Sequence, residues 1–219
     1  MMGGEFGMWK GYVKPERIMK NLRPTSKKFQ PIKIGFDFDG VIMYNPLRII
    51  RPFMSFLKIK RLVKRQQLVF FHPQTNWQKV VWWLAHQTSF IPAPGINKLK
   101  SLVKSGKIEA YLITGRSSFL KSDLHRKLKI FGLDKVFSKV IITDSNEQPH
   151  IFKERMINLH KLEYFIEDNW DIISHLANKY EQNRLFWIYN MVDKSINYPQ
   201  KHPNLLSAIN EILRKEAVK

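Results

Sequence analysis

Residues 33–42 read KIGFDFDGVI, an apolar run that closes on two aspartates one residue apart and then on Gly40. A short run of this kind has the character of a buried strand. A carboxylate at its carboxyl end falls where open α/β sheets bind ligands. Gly40 permits a sharp turn, so Asp37 and Asp39 can face one small site. Two carboxylates that close repel each other unless a cation or a shared proton compensates. The pattern therefore points to a Mg²⁺ site in which one carboxylate acts as nucleophile or proton carrier. Two other readings fail. With Gly40 at position six of an EF-hand loop, Gly35 and Pro46 would fall on positions that require acids. The Gly35-to-Gly40 spacing mimics a phosphate loop, but Val41-Ile42 stand where Lys-Ser/Thr is needed.

Working outward, strands and helices alternate. Beyond the first strand at 32–38, strands are expected at 109–116 (EAYLITGR), 139–144, 163–168 and 184–190. Helices are expected from Ile96 to Gly106, at 117–132, 150–161, 170–181 and 205–215. Alternation of this kind specifies an α/β fold: a three-layer, Rossmann-like parallel sheet with both faces covered. In such a sheet the strand carboxyl ends share one rim, and Asp37, Thr114, Asp144 and Glu167 all fall at strand ends.

Three further segments carry chemistry. In LITGR (112–116), the Ser117 and Ser118 hydroxyls are free to cap the next helix, leaving Thr114 for a phosphoryl oxygen. Gly115 allows close backbone approach, and Arg116 can pair with a phosphate in bidentate fashion. In IEDNWD (166–171), Trp170 and Asp171 suit an ordinary helix start. Glu167 and Asp168, directly after a strand, add two carboxylates to the DFDG rim, which makes sense with a hard cation present. Lys153 lies fourteen positions before Glu167 and can neutralise both Asp37 and a transferring phosphoryl group. Lys161, just before the strand, falls at the wrong edge of the sheet.

DFDGV, LITGR, Lys153 and IEDN, in that order, resemble the haloacid dehalogenase-like superfamily of phosphohydrolases. The lysine followed by IED looks most like its small nucleotidase-like members. The resemblance spans roughly residues 32–192 outside an insertion. It implies that Asp37 is a nucleophile forming an aspartyl-phosphate and that Asp39 protonates the leaving oxygen and then activates water. Thr114 and Lys153 would hold the phosphoryl group. Mg²⁺ would sit on the Asp37 carboxylate, the Asp39 main-chain carbonyl, and Glu167 or Asp168. The acidic pair is Glu-Asp rather than the commoner Asp-Asp or Gly-Asp, which leaves open which of the two touches the metal.

The implied organisation is a basic arm (1–30), a core (31–42 and 93–219) and a helical cap insertion (43–92), with cap helices at 47–66 and 76–87. The arm shows no sustained period. Trp82, Trp83, Phe70 and Phe71 are expected to pack cap against body.

The net charge is +19 over 219 residues, and it is unevenly spread. No acid separates Asp39 from Glu109. That stretch carries Arg48, Arg51, Lys58, Lys60, Arg61, Lys64 and Arg65, then Lys79, Lys98, Lys100, Lys104 and Lys107. Such a field attracts phosphate, nucleic acid or an anionic membrane. The absence of cysteine excludes disulfides, a thiolate nucleophile and zinc–thiolate sites. No stretch reaches the roughly 20 apolar residues of a transmembrane segment, and without a secretory leader the expected setting is cytoplasmic. The sequence reads as a Mg²⁺-dependent phosphomonoesterase for a nucleotide or a small phosphorylated metabolite. The alternative is a catalytically weak basic module of the same fold, docking on nucleic acid or an anionic membrane.

Overall fold

The computed structural model describes residues 30–45, 70, 72–143, 147–190 and 192–218. Residues 1–29 of the expected arm (1–30), the expected helix at 47–66, Phe71 and Asp144 lie outside them.

The sheet strands are β1 (Ile32–Phe36), β4 (Ile108–Ser117), β5 (Phe137–Thr143), β6 (Tyr164–Glu167), β7 (Leu185–Ile188) and β8 (Lys201–His202). They form one parallel sheet in the order β5-β4-β1-β6-β7-β8. Two short strands, β2 (Met43–Tyr44) and β3 (Ile91–Pro92), pair antiparallel, so the insertion leaves and re-enters the core side by side. The helices among the described residues are α1 (Asn76–Gln87), α2 (Ile96–Lys104), α3 (Lys121–Ile130), α4 (Pro149–Leu159), α5 (Trp170–Ala177) and α6 (Leu205–Val218).

Strand alternation explains the layers, because successive side chains point to opposite faces. Ala110, Leu112, Ile166, Phe186 and Ile188 pack with Leu99 of α2, Leu124 of α3 and Ile209 of α6. Their neighbours Tyr111, Ile113, Phe165, Leu185 and Trp187 pack on the other face with Phe152 and Met156 of α4 and Ile173 of α5. The three-layer Rossmann-like architecture read from the sequence is the one observed. Strand β8 was not anticipated. It is two polar residues held by Trp187 N–H to the Gln200 carbonyl (2.8 Å) and Tyr189 N–H to the His202 carbonyl (3.1 Å), with no apolar run to reveal it.

The expected helix at 117–132 is shorter and begins differently. Residues Ser118–Leu120 form a 3₁₀ turn before α3, and neither start carries a side-chain cap, so the serines do not serve as supposed. Helix α1 has the expected limits, set by a capping box: the Thr75 hydroxyl accepts from Gln78 N–H (3.4 Å), and the Gln78 side-chain oxygen accepts from Thr75 N–H (3.1 Å). Its far end is fixed by cations from the core. Lys127 Nζ donates to the His86 carbonyl at 2.6 Å and Arg116 Nη2 at 3.4 Å, as suits the negative end of a helix. No helix among the described residues is long and apolar enough to cross a membrane.

Candidate active site

Strand β1 delivers Asp37 to the rim, where its N–H bonds the Ile166 carbonyl of the neighbouring strand at 3.0 Å. The chain then turns sharply. Gly40 takes a φ of 89°, a conformation an L side chain resists, and Ile42 and Met43 N–H both return to the Phe38 carbonyl. This turn places Asp39 beside the re-entering end of the insertion.

Strand β6 carries Glu167 to the same rim, adjacent to Asp37, and Asp168 follows it. One oxygen from each of Asp37, Glu167 and Asp168 lies within 4.8 Å of the others, and all three residues are buried. Helix α4 supplies Lys153, whose Nζ donates to Asp37 Oδ1 at 2.8 Å and to Glu167 Oε2 at 2.5 Å. The other Glu167 oxygen accepts from the N–H groups of Asp168 (3.2 Å) and Asn169 (3.0 Å). Lys161 is in the turn before β6, with a φ of 50°, at the opposite end of that strand.

Asp39 does not join this cluster. Its carboxylate accepts from Arg116 Nε and Nη2, both at 2.7 Å, and from the Ser89 hydroxyl at 2.5 Å. The sequence offered Arg116 as a phosphate ligand; in the structure its bidentate partner is Asp39, and its guanidinium lies over the Phe38 ring. Thr114 is buried three residues before the end of β4, and its hydroxyl accepts from Arg116 N–H at 3.3 Å. The close approach that Gly115 permits is to Pro149 at the start of α4: a side-chain carbon there would come within 3.1 Å of the Pro149 ring. Trp170 and Asp171 have the ordinary parts expected. Asn169 caps α5 by accepting from Asp171 N–H, and Trp170 packs against Trp187 with ring centres 4.7 Å apart.

The aromatic residues of the insertion divide. Phe70 packs on the core and against His150 (6.1 Å), Trp82 is half-buried, and Trp83 is exposed.

Electrostatics separate the two aspartates. Burial pushes Asp37 up to about 6, opposed in part by Lys153 and reinforced by the charges of Asp168 and Asp39. Burial likewise pushes Glu167 up to about 8, against the pull of Lys153 and with the repulsion of Asp37 and Asp168. Lys153 feels burial as a downward pressure, but the Asp37 and Glu167 carboxylates outweigh it and hold the ammonium above its ordinary range. Burial would also raise Asp39. The Arg116 guanidinium overcomes it, with help from the Ser89 hydroxyl, and holds Asp39 well below the usual carboxylate range.

The donor set at Asp37, Glu167 and Asp168 is all oxygen and carries more negative charge than one lysine can offset. That composition fits a hard divalent cation.

Sequence reasoning missed Ser89, Asp123 and Lys127. Lys127 and Asp123 lie on the buried stripe of α3 beside Leu124 and Leu128. A carboxylate and a lysine at buried-stripe spacing were a usable signal. Ser89 had none, since its contact with Asp39 spans fifty residues of chain.

No family model matches the sequence, and no curated protein does. Solved structures do match. The chain has the haloacid dehalogenase-like fold. A putative β-phosphoglucomutase from Thermotoga maritima superposes with a TM-score of 0.54 at 13% identity, covering 84% of this chain and 99% of its own. The β-phosphoglucomutase of Clostridium difficile gives 0.51 at 14%, covering 86% and 100%. CbbY from Rhodobacter sphaeroides, in complex with phosphate, gives 0.50 at 11%, covering 80% and 95%. At these identities the likeness is one of fold, and chemistry has to be argued from the residues.

Proposed function

We propose that the protein is a Mg²⁺-dependent phosphomonoester hydrolase working through an aspartyl-phosphate. The observation that carries the reading is the opposed setting of Asp37 and Asp39: one carboxylate in an acidic, lysine-bridged cluster, the other locked to a guanidinium. Pairs of titratable groups driven apart by their surroundings mark divided catalytic roles.

In this reading an Asp37 oxygen attacks phosphorus, and the bond to the leaving oxygen breaks. Lys153, already on Asp37, and the Thr114 hydroxyl stabilise the transferring phosphoryl group. Asp39 gives a proton to the leaving oxygen, then takes one from the water that cleaves the aspartyl-phosphate and regenerates Asp37. Arg116 holds Asp39 ionised in the resting site, which suits it as the base of the second half. The acid step requires that contact to loosen, so a leaving group that departs without a proton suits the resting enzyme best. Asp37, the Asp39 carbonyl and Glu167 or Asp168 would hold Mg²⁺, which when bound would supply positive charge that offsets repulsion between carboxylate and phosphate.

The +19 charge and the expected cap favour a multiply charged substrate, a nucleotide or a phosphorylated metabolite. The test is release of inorganic phosphate from an aryl phosphate with Mg²⁺ and with excess chelator. Mg²⁺-dependent release is expected. Full activity in chelator would remove the metal from the account, and no release from any phosphomonoester would leave the basic docking module.

A further inference from the structure

We propose that the outward face of α1 docks the protein onto an anionic lipid bilayer. Trp77, Val80, Val81 and Leu84 recur at spacings of three and four, so they form one stripe along the helix. They are 66%, 56%, 52% and 53% exposed, and no residue of α1 is fully buried. The orientation of this stripe is imposed by the core. Lys127 and Arg116 hold the His86 carbonyl at the helix end, Trp82 and His86 lie on the opposite side, and the Thr75–Gln78 capping box sets the start. The chain leaves α1 for Phe90 and Ile91, which are also exposed. A run of large apolar side chains turned to solvent on a fixed helix is the mark of an interaction surface.

Charge selects the occupant. A second copy is disfavoured, since each chain carries +19. A nucleic acid needs cations within the contact to reach its phosphates, and the stripe has none. Lys79 follows Trp77 by two positions and so lies on the far side of the helix. A bilayer surface satisfies both features. Tryptophan and aliphatic side chains enter the boundary between headgroups and acyl chains. Residues 72–108 contain no carboxylate, and the chain as a whole carries +19, a field that anionic headgroups complement.

The experiment is co-sedimentation of the full chain with vesicles of phosphatidylcholine alone or mixed with phosphatidylserine. Binding to the mixed vesicles is expected, weakening as salt rises. The double substitution Trp77→Ser with Leu84→Ser leaves net charge unchanged and should weaken binding by about tenfold or more. Circular dichroism should report the same helix content for wild type and variant. Should that variant fail to fold, Val80→Ser with Val81→Ser interrupts the same stripe and carries the same expectation. Failure of the wild type to bind mixed vesicles would overturn the proposal, as would equal binding by a folded variant. A dimer, or nucleic-acid binding, that the variant loses while vesicle binding persists would assign the stripe to another occupant and overturn it too.

Discussion

Asp37 and Asp39 leave the same strand one residue apart, and their surroundings drive them in opposite directions. Among the described residues, Asp37 shares its site with two more buried carboxylates and one lysine, so burial and like charge make it a weaker acid. Asp39 meets a bidentate guanidinium and a hydroxyl, so pairing outweighs burial and it stays ionised. Residue type does not set the role of a carboxylate in this rim. What sets it is which neighbours the fold brings to it: α4 and β6 on one side, β4 and the end of the insertion on the other.

The comparison breaks most completely at Asp37. Asp37→Asn should cut phosphate release by several orders of magnitude, measured as kcat, because it deletes the attacking oxygen. Near-normal turnover would end the covalent account. Lys153→Met removes the cation that bridges Asp37 and Glu167. Breaking a buried pair by removing one partner typically costs about 3–5 kcal/mol, to be read from the denaturant midpoint. Asp39→Asn should slow turnover by about 10²–10⁴-fold, with the larger loss for poor leaving groups, as expected of a proton carrier.

The acidic half should also respond to pH. Unfolded carboxyls release their protons near 4, whereas Asp37 and Glu167 hold theirs to about 6 and about 8 in the folded, metal-free protein. Across that window the folded state binds more protons, so stability falls as pH rises. Thermal unfolding in chelator should therefore show a lower Tm at pH 8 than at pH 5. Mg²⁺ should raise Tm more at pH 8, and Asp168→Asn should remove most of that rise. The smallest effect is expected at Ser89→Ala, which deletes one hydroxyl from Asp39 and should cost about 1.5–3 kcal/mol as a hydrogen bond to a charged group. Arg116 still holds that carboxylate.

Much of this arrangement was legible in the chain. DFDG, Thr114, Lys153 and the Glu167-Asp168 pair are local patterns at strand and helix ends, and alternation of apolar segments fixes which ends share a rim. The Asp39–Arg116 pair was not legible. Both residues were noticed, but sequence offers no way to see that a guanidinium 77 positions away reaches a carboxylate before any phosphate does. Ser89 was invisible for the same reason, because a long-range contact leaves no spacing. Trp83, expected to pack cap against body, is exposed, since apolar periodicity reports a face without reporting whether anything covers it.

The central claim is that Asp37 becomes phosphorylated while Asp39 serves its hydrolysis. An aryl phosphate needs no proton to leave, so Asp39→Asn should still form the phospho-enzyme and then stall. Intact mass of the acid-quenched Asp39→Asn protein, with peptide mapping, measures this directly. The account predicts the mass gain of one phosphoryl group, located on Asp37 and absent from a variant that also carries Asp37→Asn. Steady phosphate release with no adduct, or an adduct on any other residue, would contradict it.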